Sequence, residues 1–99
     1  MAKSLYRSEN LVLAALLREL REASGVVQTE FAKKLGASQT YVSNVELASR
    51  RLDLVELRDY CSVLDIELVA LIKLWEKRIP STSKAKRGGA KRTLDSPRG

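Results

Sequence analysis

The sequence predicts an all-α fold, a compact five-helix domain over residues 1–79 followed by a disordered basic C-terminal tail over residues 80–99. Three observations carry this expectation. Apolar residues recur at spacings of three and four throughout the first part of the chain, and no stretch alternates as a strand would. Glycine and capping residues break that pattern into short segments, so no single long helix is expected. Finally, the segment PSTSKAKRGGAKRTLDSPRG holds one large apolar residue, Leu94, too little to offset the entropy of ordering it. A chain of 99 residues that is 44% hydrophobic suits one small core, and a second domain is not expected.

The first helix is expected from Ser8 to Ala23, with Ser8 as its N-cap and Leu13, Leu16, Leu17 and Leu20 on one face. Ser24-Gly25 ends it, because glycine accepts the left-handed turn that closes many helices. A second helix over about Gln28 to Leu35 buries Phe31, Ala32 and Leu35 and stops at Gly36. Ser38 then caps a third, over about Gln39 to Leu47, whose Val42 and Val45 point inward. Asp53 opens the fourth, with Glu56 three residues on as in a capping box, and Leu54, Leu57, Cys61 and Leu64 form its core stripe. The fifth starts at Ile66-Glu67 and reaches about Ile79, with Leu68, Leu71, Ile72, Trp75 and Ile79 as a continuous apolar stripe.

Composition points away from several classes of function. The chain has no histidine and one cysteine, so the usual general base and the commonest metal ligand are missing, and a zinc site cannot be built. No enzyme activity, cofactor or metal is expected. The longest apolar run, LVLAALL at residues 11–17, is too short to span a bilayer. No secretory leader opens the chain and the lone Cys61 suits a reducing compartment, so the expected location is cytoplasmic, away from membranes. Cys61 reads as an inert core residue. The net charge of +6 is unevenly spread: residues 80–99 carry six basic side chains against Asp95, while residues 1–79 hold twelve basic and eleven acidic. The body is almost neutral.

The stretch QTEFAKKLGASQTYVSNVE, residues 28–46, is the informative one. Two short helices meet at a glycine-containing turn, which is the sequence form of a helix-turn-helix. Ala32 is small where the helices approach, Gly36 supplies the turn, and Phe31, Leu35, Ala37, Val42 and Val45 take the buried positions. The third helix is thereby left with an outward face of Gln39, Thr40, Ser43 and Asn44. Gln and Asn side chains can make bidentate hydrogen bonds to adenine in the major groove. Taken singly these residues are also ordinary solvated helix positions; their arrangement around the turn is what singles them out.

From Leu11 to about Leu71 the chain resembles the phage-repressor-like helix-turn-helix family, whose members are also called lambda-repressor-like, Cro/CI-type or XRE-like. The phrase GASQTYVSNVE is close to the family's usual wording for turn plus recognition helix. The resemblance implies a DNA-binding transcriptional regulator, in the expected form a repressor that binds a palindromic operator as a homodimer. It also implies that Gln28 binds a backbone phosphate and braces Gln39 against a base, with Ser38, Thr40, Ser43 and Asn44 beside them. Arg21 and Glu46 match a charged pair tying the first helix to the end of the third. Arg50 and Arg51 are expected near the DNA backbone. For Tyr41 two roles stay open, contact with a phosphate or thymine methyl and packing against the second helix. Lys33 and Lys34 are as readily solvated as phosphate-facing.

Four residues depart from the family pattern. Val27 stands where a Ser or Thr N-cap is usual, a loss of about 1 kcal/mol. Ala48 and Asp65 each replace a glycine, which makes a left-handed conformation strained at Ala48 and milder at Asp65. Leu47 occupies a position where a basic residue is common. A second reading therefore stands beside the first: a protein-interaction module, such as an antitoxin or regulatory subunit, favoured by Leu47 and the near-neutral body. Surplus apolar positions on the fifth helix make Val69, Leu74 and Trp75 candidates for a dimer surface, although a stripe through Trp75 is most simply core.

Overall fold

The computed structural model describes residues 7–79, which form five helices: α1 (Ser8–Ala23), α2 (Gln28–Leu35), α3 (Gln39–Glu46), α4 (Leu54–Leu64) and α5 (Leu68–Arg78). There is no strand among the described residues. The expected basic tail at 80–99 lies outside them.

Local chemistry sets the helix ends, and it moves some of the expected boundaries. The carbonyl of Arg7 accepts from the amides of Asn10 and Leu11 at 2.9 and 3.1 Å, so Arg7 is the N-cap residue and Ser8 already lies inside α1. Ser8 is therefore not the cap that its residue type suggested. Ser38 does cap α3, accepting from the Tyr41 amide at 3.1 Å. Asp53 caps α4 in a complete capping box: its carboxylate accepts from the Glu56 amide at 2.7 Å, and Glu56 accepts from the Asp53 amide at 2.9 Å. Val27 precedes α2 and offers no side-chain cap. α5 begins at Leu68 rather than at Ile66-Glu67, because the Ile66 amide is used to close α4 on the Cys61 carbonyl at 3.0 Å.

Helices α2, α3 and α4 all end in the same way. An amide reaches back to the carbonyl five residues earlier, Ala37 to Ala32, Ser49 to Asn44 and Ile66 to Cys61, around a residue with positive φ. That residue is Gly36 (φ 77°) in the first case, but Ala48 (φ 64°) and Asp65 (φ 59°) in the others. For an L-residue this region costs roughly 1–2 kcal/mol, less for Asp, whose side chain can bond locally. Ala48 is 2% exposed, so burial of its methyl offsets part of that strain. Asp65 is exposed and has no such compensation. Asp65→Gly should accordingly raise stability by about 0.5–1 kcal/mol, seen as a higher urea midpoint with unchanged slope.

The core joins all five helices through Leu16 and Leu17 of α1, Phe31 and Ala32 of α2, Val42 and Val45 of α3, Leu57, Tyr60 and Cys61 of α4, and Leu71 of α5. Leu13, Leu20, Leu35, Leu64, Leu68, Ile72 and Trp75 pack around it, as their spacing predicts. Leu54 does not belong to it. At the first turn of α4 it projects past the bundle and is 65% exposed. Tyr60 takes the central place instead, fully buried, with its ring 4.9 Å from that of Phe31 at an interplanar angle of 51°. Its hydroxyl has no hydrogen-bond partner among the described residues, and burial pushes its pKa up. Tyr60→Phe should then stabilise the domain by about 1 kcal/mol, because an unsatisfied buried hydroxyl is removed at constant shape. A melting temperature equal to or below that of the wild type would show that the hydroxyl is satisfied in solution.

Candidate nucleic-acid interface

Gly36 and the Ser38 cap aim α3 across α2, so that Val42 and Val45 are buried and Gln39 and Thr40 are exposed at its start. Ser43 and Asn44 continue the same face but are half-buried. The Asn44 carbonyl is also used to end the helix, accepting from the amides of Ser49 and Arg50 and from the Ser49 hydroxyl.

Behind this face runs a relay of hydrogen bonds. Arg21 of α1 is 8% exposed, and its guanidinium donates to both carboxylate oxygens of Glu46, Nε to Oε2 at 2.5 Å and Nη2 to Oε1 at 3.1 Å. A third donor, Nη1, reaches the Val26 carbonyl at 2.7 Å. The Glu46 hydrogen bonds hold the Arg21 pKa above its ordinary value, against the opposing effect of burial. Glu46 Oε1 also accepts from Gln28 Nε2 at 2.8 Å, and Gln28 Oε1 accepts from Gln39 Nε2 at 2.6 Å. A carboxylate can only accept, so Gln28 must turn its NH₂ to Glu46 and its carbonyl to Gln39. Gln39 is thereby oriented too. One of its N–H groups is spent on Gln28, which leaves a second N–H and the Oε1 acceptor.

A second cluster lies past the end of α3. The Arg50 guanidinium sits 4.8 Å from the centre of the half-buried Tyr41 ring and donates to Glu56 Oε2 at 2.6 Å. Glu56 therefore serves both the α4 cap and Arg50. Its capping role is readable from the Asp53–Glu56 spacing, but its contact with Arg50 depends on the path of the loop between α3 and α4. Arg51 is exposed and engaged in its own contacts. Lys33 pairs with Glu30 at 3.6 Å on the solvent side of α2.

The three residues singled out for a dimer surface are placed differently. Val69 is 63% exposed, whereas Leu74 and Trp75 pack on the core, and the Trp75 indole donates to the Glu9 carbonyl at 3.0 Å. Exposed apolar side chains that the spacing did not flag are Val55, at 71%, and Leu54 beside it. Among the described residues no group of His, Cys, Asp and Glu could hold a metal ion, and no helix is long and apolar enough to cross a membrane.

This geometry defines a helix-turn-helix domain with a polar face on α3 whose Gln39 is oriented by hydrogen bonds. A family model described as "Helix-turn-helix domain" matches residues 12–72. An XRE-family like protein from Pseudomonas syringae pv. tomato str. DC3000 is 38% identical, with a TM-score of 0.67 over 74% of this chain and 89% of that one. The clp gene regulator ClgR from C. glutamicum has the same fold at 22% identity, with a TM-score of 0.68 over 75% of this chain and 96% of that one. So does the wild-type restriction-modification controller protein C.Esp1396I, at 23% identity, with a TM-score of 0.69 over 74% of this chain and 95% of that one. No curated protein sequence matches closely enough to add to these. The chain belongs to the XRE-like helix-turn-helix family, and so to the DNA-binding transcription regulators.

Proposed function

We propose that the protein represses transcription by binding a palindromic operator as a homodimer, α3 of each subunit entering the major groove. The orientation of Gln39 by the Arg21–Glu46–Gln28 relay carries this reading. The N–H and Oε1 left on Gln39 match the N7 acceptor and N6 donor of adenine. Gln28 and the start of α2 fix register on the phosphates, Thr40, Ser43 and Asn44 read neighbouring base edges, and Arg50 and Arg51 approach the backbone. The basic residues of 80–99 add attraction to any duplex and leave sequence preference to α3.

A single domain of this size offers DNA only a small interface, so two half-sites are needed for useful discrimination. Selection from a randomised duplex pool tests the whole reading. Recovery of an inverted repeat with centres about one helical turn, or 10–10.5 base pairs, apart is the expected result. Recovery of a single unsymmetrical half-site would remove the dimer, and no enrichment at all would remove the operator. Val69→Glu should shift the protein toward monomer in sedimentation while its helical circular dichroism stays near wild type. A wild-type protein that sediments as a monomer at high micromolar concentration would count against a preformed dimer.

The exposed Leu47, Leu54 and Val55 favour a second reading, a surface for a protein partner near the α3–α4 connection. It differs from the first in predicting no sequence enrichment.

A further inference from the structure

We propose that Glu56 is a positioning residue for DNA recognition, holding the Arg50 guanidinium against Tyr41 so that it meets the duplex already oriented. The inference rests on the DNA-binding reading above and assigns a role to a residue outside the recognition helix.

Three contacts build the arrangement. Glu56 is fixed at one oxygen by the α4 cap, where Oε1 accepts from the Asp53 amide at 2.9 Å. Its other oxygen, Oε2, takes one amino group of Arg50 at 2.6 Å. The guanidinium carbon lies over the ring of Tyr41, 4.8 Å from its centre, and Tyr41 is itself held at the start of α3 by the Ser38 cap. Arg50 is thus held by Glu56 of α4 and Tyr41 of α3. A guanidinium carries five N–H donors in a rigid plane, and Glu56 engages a single amino group, so the plane still has donors for a phosphate oxygen. An arginine side chain that is ordered before binding loses less rotamer freedom on contact. Both Arg50 and Glu56 remain partly exposed, with side chains 43% and 30% accessible, so the pair is open to a ligand. The carboxylate also sets a negative charge beside the duplex, which penalises any register that does not bring a phosphate to Arg50.

Glu56→Gln separates this role from the cap. Glutamine serves at this position of a capping box, so its carbonyl can accept from Asp53 while its NH₂ faces the Arg50 donors. The melting temperature should stay near wild type. Affinity for the selected duplex should fall roughly two- to tenfold, the lower part of the range that couplings within one contact network span, while affinity for random duplex rises with loss of the negative charge. Arg50→Ala should cost clearly less in the Glu56→Gln background than in the wild type. Tyr41→Leu, which leaves the cap untouched, should narrow the ratio of selected to random affinity in the same sense, and it decides the matter if Glu56→Gln proves unstable. Unchanged ratios with additive Arg50 and Glu56 effects would overturn the positioning role alone. A wild-type protein that binds no duplex would overturn the DNA-binding reading along with it.

Discussion

Glu46→Ala should destabilise the domain by about 3 kcal/mol or more, the usual cost of removing one partner from a buried ion pair. The Arg21 and Glu46 side chains are 9% and 3% accessible, so water cannot replace the lost carboxylate without opening the α1–α3 junction. Arg21 would keep its bond to the Val26 carbonyl, which places the cost at the lower end of the range. Gln28 would lose its acceptor at the same time. Against a total stability of about 5–15 kcal/mol this is a large fraction, and the melting temperature should drop by at least about 10 °C. The check is a cycle of thermal melts on Glu46→Ala, Arg21→Ala and the double variant. The double variant should cost much less than the sum of the two. Additive losses would mean that the pair is not an energetic unit. An apolar replacement of both residues, Arg21→Met with Glu46→Leu, should recover most of the stability and none of the relay.

Gln39→Ala should leave stability near wild type and weaken operator binding by about 1–3 kcal/mol, relaxing preference at one base pair in each half-site. Gln39 is exposed and its side chain bonds within the protein to the Gln28 amide, so truncation disturbs little within the fold. What it removes is the N–H and the oxygen that the bond to Gln28 leaves over, the groups that the proposed function assigns to a base edge. Gel-shift titrations on operator variants separate the possibilities. Loss confined to the base pair under Gln39 marks direct readout; equal loss on every sequence would mark a backbone contact instead. The slope of log affinity against log salt should stay unchanged, because no phosphate-neutralising charge is lost.

The helices and the Arg21–Glu46 and Gln28–Gln39 contacts were more legible in the sequence than the contacts beyond the end of α3. Helix positions follow from apolar spacing, which records the core directly, and the Ser38 and Asp53–Glu56 caps follow from short-range chemistry. Ala48 and Asp65 could be singled out as replacements of glycine, but that each takes a positive φ is what the structure adds. Other features escaped because they depend on three-dimensional placement. Leu54 keeps the spacing of a core residue, but the bundle ends before it. Tyr60 carries a hydroxyl that argues against the centre of a core, yet its ring fills the space against Phe31. The Glu56–Arg50–Tyr41 contact spans a loop whose path no periodicity encodes.

The bond from the Trp75 indole to the Glu9 carbonyl joins residues 66 positions apart, at the two ends of the helical array. Trp75 is the chain's one tryptophan, so the protein carries an intrinsic fluorophore on the seam where its first and last helices meet. Its emission reports whether the ring of helices is closed. The relay that orients Gln39 joins α1 to α2 and α3 and includes no residue of α5. Closure of the bundle and integrity of the relay are therefore separable, and a variant that loosens one without the other can be recognised without a label.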